Sequence, residues 1–205
     1  VGAVNQTKTR TLFLAASASL VLLTGACSSD TDSTSPATTT SSSASVSADA
    51  ASSGTCPTAA PDSAATPEWT LAGDTGSIAV VGSTNAAAPS VTVEAPFSVA
   101  ESQVKTLTVG DGPVVADDAE VSVCYLGVNG RDGSTFDSSY ERGEPVDFPL
   151  DGVVAGFQKA IAGQTVGSTV AVAVTSADGY PSGQPQAGIE PGDSLIFAIS
   201  ILSAS

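Results

Sequence analysis

Asp137 and Arg142 are charged residues whose surroundings could do chemistry. Both lie in the stretch from Cys124 to Leu150, with Tyr125, Phe136 and Phe148 nearby and a turn-rich link through Gly127, Gly130 and Gly133. A carboxylate and a guanidinium among aromatics can act in acid–base chemistry, fix a dipole on an apolar surface, or form a plain loop ion pair. The chain contains no His, which removes Ser-His-Asp and Cys-His catalysis and imidazole-based zinc sites. A hydrolase using Asp137 would need a second carboxylate. Asp117 and Asp118 read as an exposed turn pair, and no nucleophile is evident. The acidic turn Gly110-Asp111-Gly112-Pro113 lacks the ligand spacing of a calcium loop. No metal and no cofactor are expected.

The charge balance narrows the partners. The formal net charge is -15 with six Lys and Arg over 205 residues. Nucleic acid and anionic lipid both require a basic surface, so neither is an electrostatic partner. Aromatics are scarce, and the core must be built largely from Val, Ala, Leu and Ile.

Several elements must position Asp137 and its neighbours. Ala119–Leu126 alternates, with Val121, Val123 and Tyr125 on one face and Ser122, Cys124 and Leu126 on the other. A second short strand carries Val146 and Phe148. Val153, Val154, Phe157, Ala160 and Ile161 share one face of a short helix that Gly163 ends. Ser168–Thr175 is a strand with Val170, Val172 and Val174 opposed to Ala171 and Ala173. Residues 176–193 are rich in Gly, Pro and Ser and read as a long surface loop. Ser194–Leu202 is a last strand, with Leu195, Phe197, Ile199 and Ile201 on one face. Together these predict an α+β domain, an antiparallel sheet of about five strands wrapped around one short helix.

Upstream, the composition divides the chain into 1–26, 27–67, 68–103 and 104–205. Lys8 and Arg10 precede an apolar run from Thr11 to Thr24, too short for a membrane span but suited to a secretory signal. The run ends Leu22-Leu23-Thr24-Gly25-Ala26-Cys27, which resembles the lipobox of bacterial lipoproteins. This implies lipidation at Cys27 and anchoring on the outer face of the cytoplasmic membrane. The next segment, to residue 67, is dominated by Ser, Thr, Ala, Asp and Pro and predicts a disordered tether. Residues 68–103 form a β-rich extension, with strands at Ser77–Val81 and Ser90–Glu94; Gln103–Val109 alternates and reads as another strand. Cys56 and Cys124 remain. In an exported chain they either pair, pinning the extension to the back of the sheet, or stay as two thiols.

The order Val121-x-Val123-x-Tyr125-x-Gly127, Phe136-Asp137-Ser138-Ser139, Gly156-Phe157, Val166-Gly167, Asp178-Gly179-Tyr180 and Leu195-Ile196-Phe197 resembles the FKBP-type peptidyl-prolyl isomerases. The lipobox, tether and β extension are similar to the exported lipoprotein branch of that family in actinobacteria. The resemblance implies a shallow apolar bowl for a proline ring, walled by Tyr125, Phe136, Val146, Phe148, Val153, Val154 and Phe197 and floored by Phe157. It gives Asp137 the role of the carboxylate facing the substrate amide, oriented by Tyr125 and Arg142. The Val154 N–H and the Tyr180 hydroxyl become donors to substrate carbonyls, and Ile189 becomes a rim residue. Phe157 stands where the family often has Trp, and Val146 replaces a more usual Phe. Both changes shrink the aromatic surface, which implies a wider pocket that holds proline or macrolide inhibitors more weakly.

The activity so implied is acceleration of X-Pro rotation in exported polypeptides by a monomer. The alternative is an FKBP-like module or chaperone that binds proline-containing chains without turnover. A site rich in Phe, Tyr and Val suits isomerisation, because no covalent step or proton transfer is needed. The barrier of about 20 kcal/mol comes from amide resonance. A dry pocket that prefers the less polar twisted amide lowers it.

Overall fold

A computed structural model describes residues 54–205. The run expected to be a signal segment, the expected lipidation site Cys27 and the expected tether up to residue 53 lie outside the described residues. Among the described residues, nine strands form two sheets. The first contains β1 (Trp69–Ala72), β2 (Thr75–Val81) and β3 (Ser90–Ser98), in antiparallel order β1-β2-β3. The second is six-stranded and contains β4 (Gln103–Thr108), β5 (Glu120–Asn129), β6 (Thr135–Ser138), β7 (Val146–Pro149), β8 (Thr169–Val174) and β9 (Leu195–Ala204).

The main sheet runs β4-β8-β9-β5-β6, with every pairing antiparallel. Strand β7 also pairs β5, over Glu120↔Pro149 to Val123↔Val146, while β6 takes over from Leu126↔Ser138. The expected antiparallel sheet and short helix are present, but the sheet has six strands and not about five. Strand β6 is the addition: its four residues are too short for alternation to mark them.

Two short α-helices lie among the described residues. Helix α1 (Ser139–Arg142) starts at the cap Ser138, whose hydroxyl accepts the Glu141 N–H, and stops at Gly143, which has φ 73°. Helix α2 (Ala155–Ile161) starts two residues later than the apolar periodicity suggests, because Val154 is its extended N-cap. Phe157, Ala160 and Ile161 of α2 pack on Val170, Val172 and Val174 of β8 and on Leu195, Phe197, Ile199 and Ile201 of β9.

The opposite face of β8 and β9 is also buried. Ala171, Ala173, Ile196 and Ala198 meet Ile78, Val80, Phe97 and Val99 of the β1–β3 region. Small alanines on β8 let the second sheet approach closely, so the extension is a second layer on the same domain. Backbone bonds tie the layers: Phe97 N–H donates to the Gly130 carbonyl at 2.8 Å, and Gly130 N–H to the Ser194 carbonyl at 2.8 Å.

Three further expectations need correction. The segment expected to continue the tether to residue 67 is anchored to the domain at Cys56 and Ala59. Cys56 is buried, its N–H donates to the Gly143 carbonyl at 3.1 Å, and the Ala59 carbonyl accepts the Ala88 N–H at 2.8 Å. Cys56 forms a disulfide with Cys124 on the face of β5 away from Tyr125. The bridge fastens this preceding segment, whereas the 68–103 extension is held by its own apolar layer. Finally, the 176–193 loop is not wholly on the surface. It includes a 3₁₀ turn at Pro185–Ala187 and buries Ile189 and Asp193.

Candidate active site

The strands and α2 bring five rings to one end of the sheet's inner face. Tyr125 comes from β5, Phe136 from β6, Phe148 from β7, Phe157 from α2 and Phe197 from β9. Phe157 sits centrally, with ring centroids 5.1 Å from Phe197, 5.6 Å from Tyr125 and 5.6 Å from Phe148. Phe136 meets Phe197 edge-on at 5.5 Å. These edge-to-face arrangements suit aromatic quadrupoles. Gly127 makes the wall possible: a Cβ there would lie 2.6 Å from Phe136 Cζ and 3.1 Å from Phe197 Cε1.

The rings enclose an open bowl of about 400 Å³. Its lining includes Tyr125, Phe136, Asp137, Val146, Phe148, Val153, Val154, Phe157, Tyr180 and Phe197, all named from sequence as site residues. The structure adds Gly152, which ends a 3₁₀ turn at Leu150–Gly152 just before Val153. An Asp-Gly pair before the paired valines was the available turn signal.

Two expected site residues lie elsewhere. Ile189 is 2% exposed and belongs to the core, not the rim. Reciprocal backbone bonds between Gln184 and Ile189 curl the loop and turn this side chain inward. Arg142 does not line the bowl. It sits behind Asp137, with Nη1 donating to Oδ1 at 2.6 Å.

The bowl has one carboxylate in its lining, and its partners hold it from both sides. The Tyr125 hydroxyl donates to Asp137 Oδ2, and Arg142 takes the other oxygen. Burial opposes the charge on Asp137, but the bonds from Tyr125 and Arg142 outweigh it, and its carboxyl lies below the usual range. Burial, reinforced by the bond to Asp137, pushes the Tyr125 phenol up to about 12. At neutral pH the edge is thus a fixed carboxylate held by a neutral phenol and a guanidinium. It is a dipolar boundary, unsuited to exchanging protons.

The Tyr180 hydroxyl and the Val154 N–H have no hydrogen-bond partner among the described residues, so both are available to a bound chain. Tyr180 is carried by a loop pinned at both ends. The Asp178 carbonyl accepts the Gly156 N–H at 2.9 Å, and Lys159 Nζ lies 2.7 Å from Asp178 Oδ2. At the other end, Asp193 accepts from Asn129 Nδ2 at 2.8 Å, Arg131 Nε at 3.3 Å and Glu190 N at 2.8 Å. Sequence reasoning missed this anchor, because Asn129 and Asp193 meet only through the β5–β9 pairing.

Among the described residues no cluster of His, Cys, Asp or Glu could hold a metal ion. A family model described as FKBP-type peptidyl-prolyl cis-trans isomerase matches residues 112–202. A probable FK506-binding protein of Corynebacterium glutamicum is 36% identical over 104 residues, which cover 49% of this chain and 85% of that protein. An FK506-binding protein of Streptomyces anulatus is 33% identical over 107 residues, covering 51% of this chain and 86% of that protein. A crystal structure of a peptidyl-prolyl cis-trans isomerase from Pseudomonas syringae pv. tomato aligns with a TM-score of 0.46 and 30% identity, over 51% of this chain and 75% of that one. With both FK506-binding relatives matched over most of their length, and the family model running from the turn before β5 into β9, this chain belongs to the FKBP-type peptidyl-prolyl cis-trans isomerases.

Proposed function

We propose that the bowl accelerates X-Pro rotation by taking the proline ring onto Phe157 and binding the amide in its twisted form. The observation that carries this reading is an aromatic bowl of about 400 Å³ whose lining includes a single, fixed carboxylate. Twisting the amide removes resonance, so its carbonyl oxygen carries less negative charge than in the planar ground state. Apolar walls and a nearby carboxylate both disfavour the more polar planar form relative to the twisted one. The Val154 N–H and Tyr180 hydroxyl hold the substrate backbone on either side. Substrates are proline-containing exported polypeptides, and the same apolar floor would accept a macrolide inhibitor.

The setting we propose is the outer face of the cytoplasmic membrane, through a lipid on Cys27. The signal-like run before Cys27 supports it, as does the Cys56–Cys124 disulfide, a bond that persists in oxidising compartments. Globomycin treatment of producing cells, which blocks lipoprotein signal cleavage, should leave an unprocessed precursor; normal processing would remove the anchor.

The activity is tested by protease-coupled assay over a panel of residues before Pro. Phe157 and Val146 in place of larger rings favour the alternative of binding without turnover. Peptide binding with no acceleration across the panel would establish that alternative. Tyr180→Phe should reduce kcat/KM a few-fold, as one hydrogen bond of about 1 kcal/mol is lost. An unchanged value would take the hydroxyl out of the site.

The pH profile is expected to be flat between about pH 5 and 9, where neither a lowered Asp nor a raised Tyr titrates. Asp137 has a depressed folded-state pKa, so its stabilising contribution is complete above the unfolded value of about 3.9 and disappears as pH falls through the lower folded value. A bell centred near neutrality in kcat/KM would require a titrating group that the bowl lacks.

A further inference from the structure

Strand β5 has a gap in one ladder at the level of its catalytic tyrosine. Pairing with β7 ends at Val123↔Val146, and pairing with β6 starts at Leu126↔Ser138. Cys124 and Tyr125 fall between, because the chain joining β6 to β7 leaves the sheet as α1. The gap is closed by side chains. Ser139 Oγ accepts the Tyr125 N–H at 2.8 Å and lies 3.4 Å from the Tyr125 carbonyl oxygen. The same Oγ is 3.4 Å from Cys56 Sγ, and Cys56 is bonded to Cys124. All three residues are at most 3% exposed.

The Cys56 segment also grips α1 at its far end, through its N–H to the Gly143 carbonyl at 3.1 Å. This grip has a purpose, because a four-residue helix does not hold itself. Helix α1 carries Arg142, which fixes Asp137, and Asp137 immediately precedes the helix cap Ser138. The Arg142 and Asp137 side chains are 48% and 40% exposed. An ion pair this exposed does not order itself, so its geometry follows the backbone beneath it.

We propose that Ser139 and the Cys56–Cys124 bridge are positioning elements for turnover: together they clamp α1 so that Arg142 and Tyr125 hold Asp137 against the bowl. The inference rests on reading Tyr125, Asp137 and Arg142 as the catalytic edge. The floor ring Phe157 and its neighbour Phe197 are held separately, by the core around α2, β8 and β9. Opening the clamp should therefore leave proline binding in place and disturb the edge that distinguishes the twisted amide.

The test is steady-state kinetics on the full chain and on Ser139→Ala, Cys56→Ala and the double variant, with Asp137→Asn as reference. Near-UV circular dichroism checks that each is folded. Each single change should lower kcat about five- to tenfold with KM within about twofold, as small misplacements of a positioned group do. The double variant should fall no further than the worse single one, as expected for parts of one device. Folded variants with unchanged kcat, or additive losses, would overturn the clamp. A loss confined to KM would also overturn it. If Asp137→Asn leaves kcat unchanged, the edge itself is misassigned and the clamp fails with it. If Asp137→Asn lowers kcat and Ser139→Ala does not, the clamp alone fails. Should Cys56→Ala not fold, Ser139→Ala, which retains the bridge, decides the matter.

Discussion

Phe157→Ala will lower the unfolding free energy by about 3–5 kcal/mol, the range for removing a buried aromatic ring. The ring is 6% exposed and lies edge-on to Phe197 and Tyr125. It also fastens α2, because Phe157, Ala160 and Ile161 are helix side chains that pack on β8 and β9. Each lost aromatic pair adds roughly 0.5–1.5 kcal/mol to the transfer and cavity terms within that total. Activity should be lost with stability, since the void opens directly into the bowl and the proline ring loses its floor. Urea unfolding and the protease-coupled assay give the two readings. If neither changes, Phe157 is not the floor.

Removing the Cys56–Cys124 bridge, by Cys56→Ala or by reduction, will lower stability by about 4 kcal/mol. The bridge closes a loop with a sequence separation of 68, and loop-closure entropy sets that magnitude. At roughly 2–4 °C per kcal/mol, the thermal midpoint should drop by about 10 °C. Calorimetry of oxidised and reduced protein measures the difference. An unchanged midpoint would mean that the unfolded chain is not constrained by the bridge. The two stability effects should add, because Phe157 and Cys56 belong to separate buried clusters.

The bowl was largely legible in the sequence because its walls sit on strands, where alternation assigns faces. Val121, Val123 and Tyr125 share a face by spacing alone, and Cys124 falls on the other. The ion pair between Asp137 and Arg142 was also legible, being local. What spacing could not supply was anything decided by distant packing. On β8 the valine and alanine positions alternate, as in a strand with one covered face, yet every one of its residues is buried. The sequence carries the small residues but not the identity of the layer that covers them. Ile189 went wrong for the same reason: its position depends on how residues 184–189 curl back on themselves. Helix α1 was missed for a different reason. Four residues are too few for a helical period, although Ser138 three before Glu141, and Gly143 beyond, are start and stop signals.

The layer formed by β1–β3 bears on how such a chain can be divided and inherited. The family model begins at residue 112 and the compositional border falls at 104, which invites a cut there. That cut would uncover Ala171, Ala173, Ile196 and Ala198 together, an apolar face on β8 and β9, the second of which carries Phe197 of the bowl. The border drawn by motif similarity thus runs through a core and not through a linker. Domain swaps, fusions and shuffled descendants should respect the stretch from Cys56 to Ser205 as the indivisible piece. Substitutions in the extension that carries no family motif are then constrained by the strands of the isomerase itself, and drift in one layer must be answered in the other.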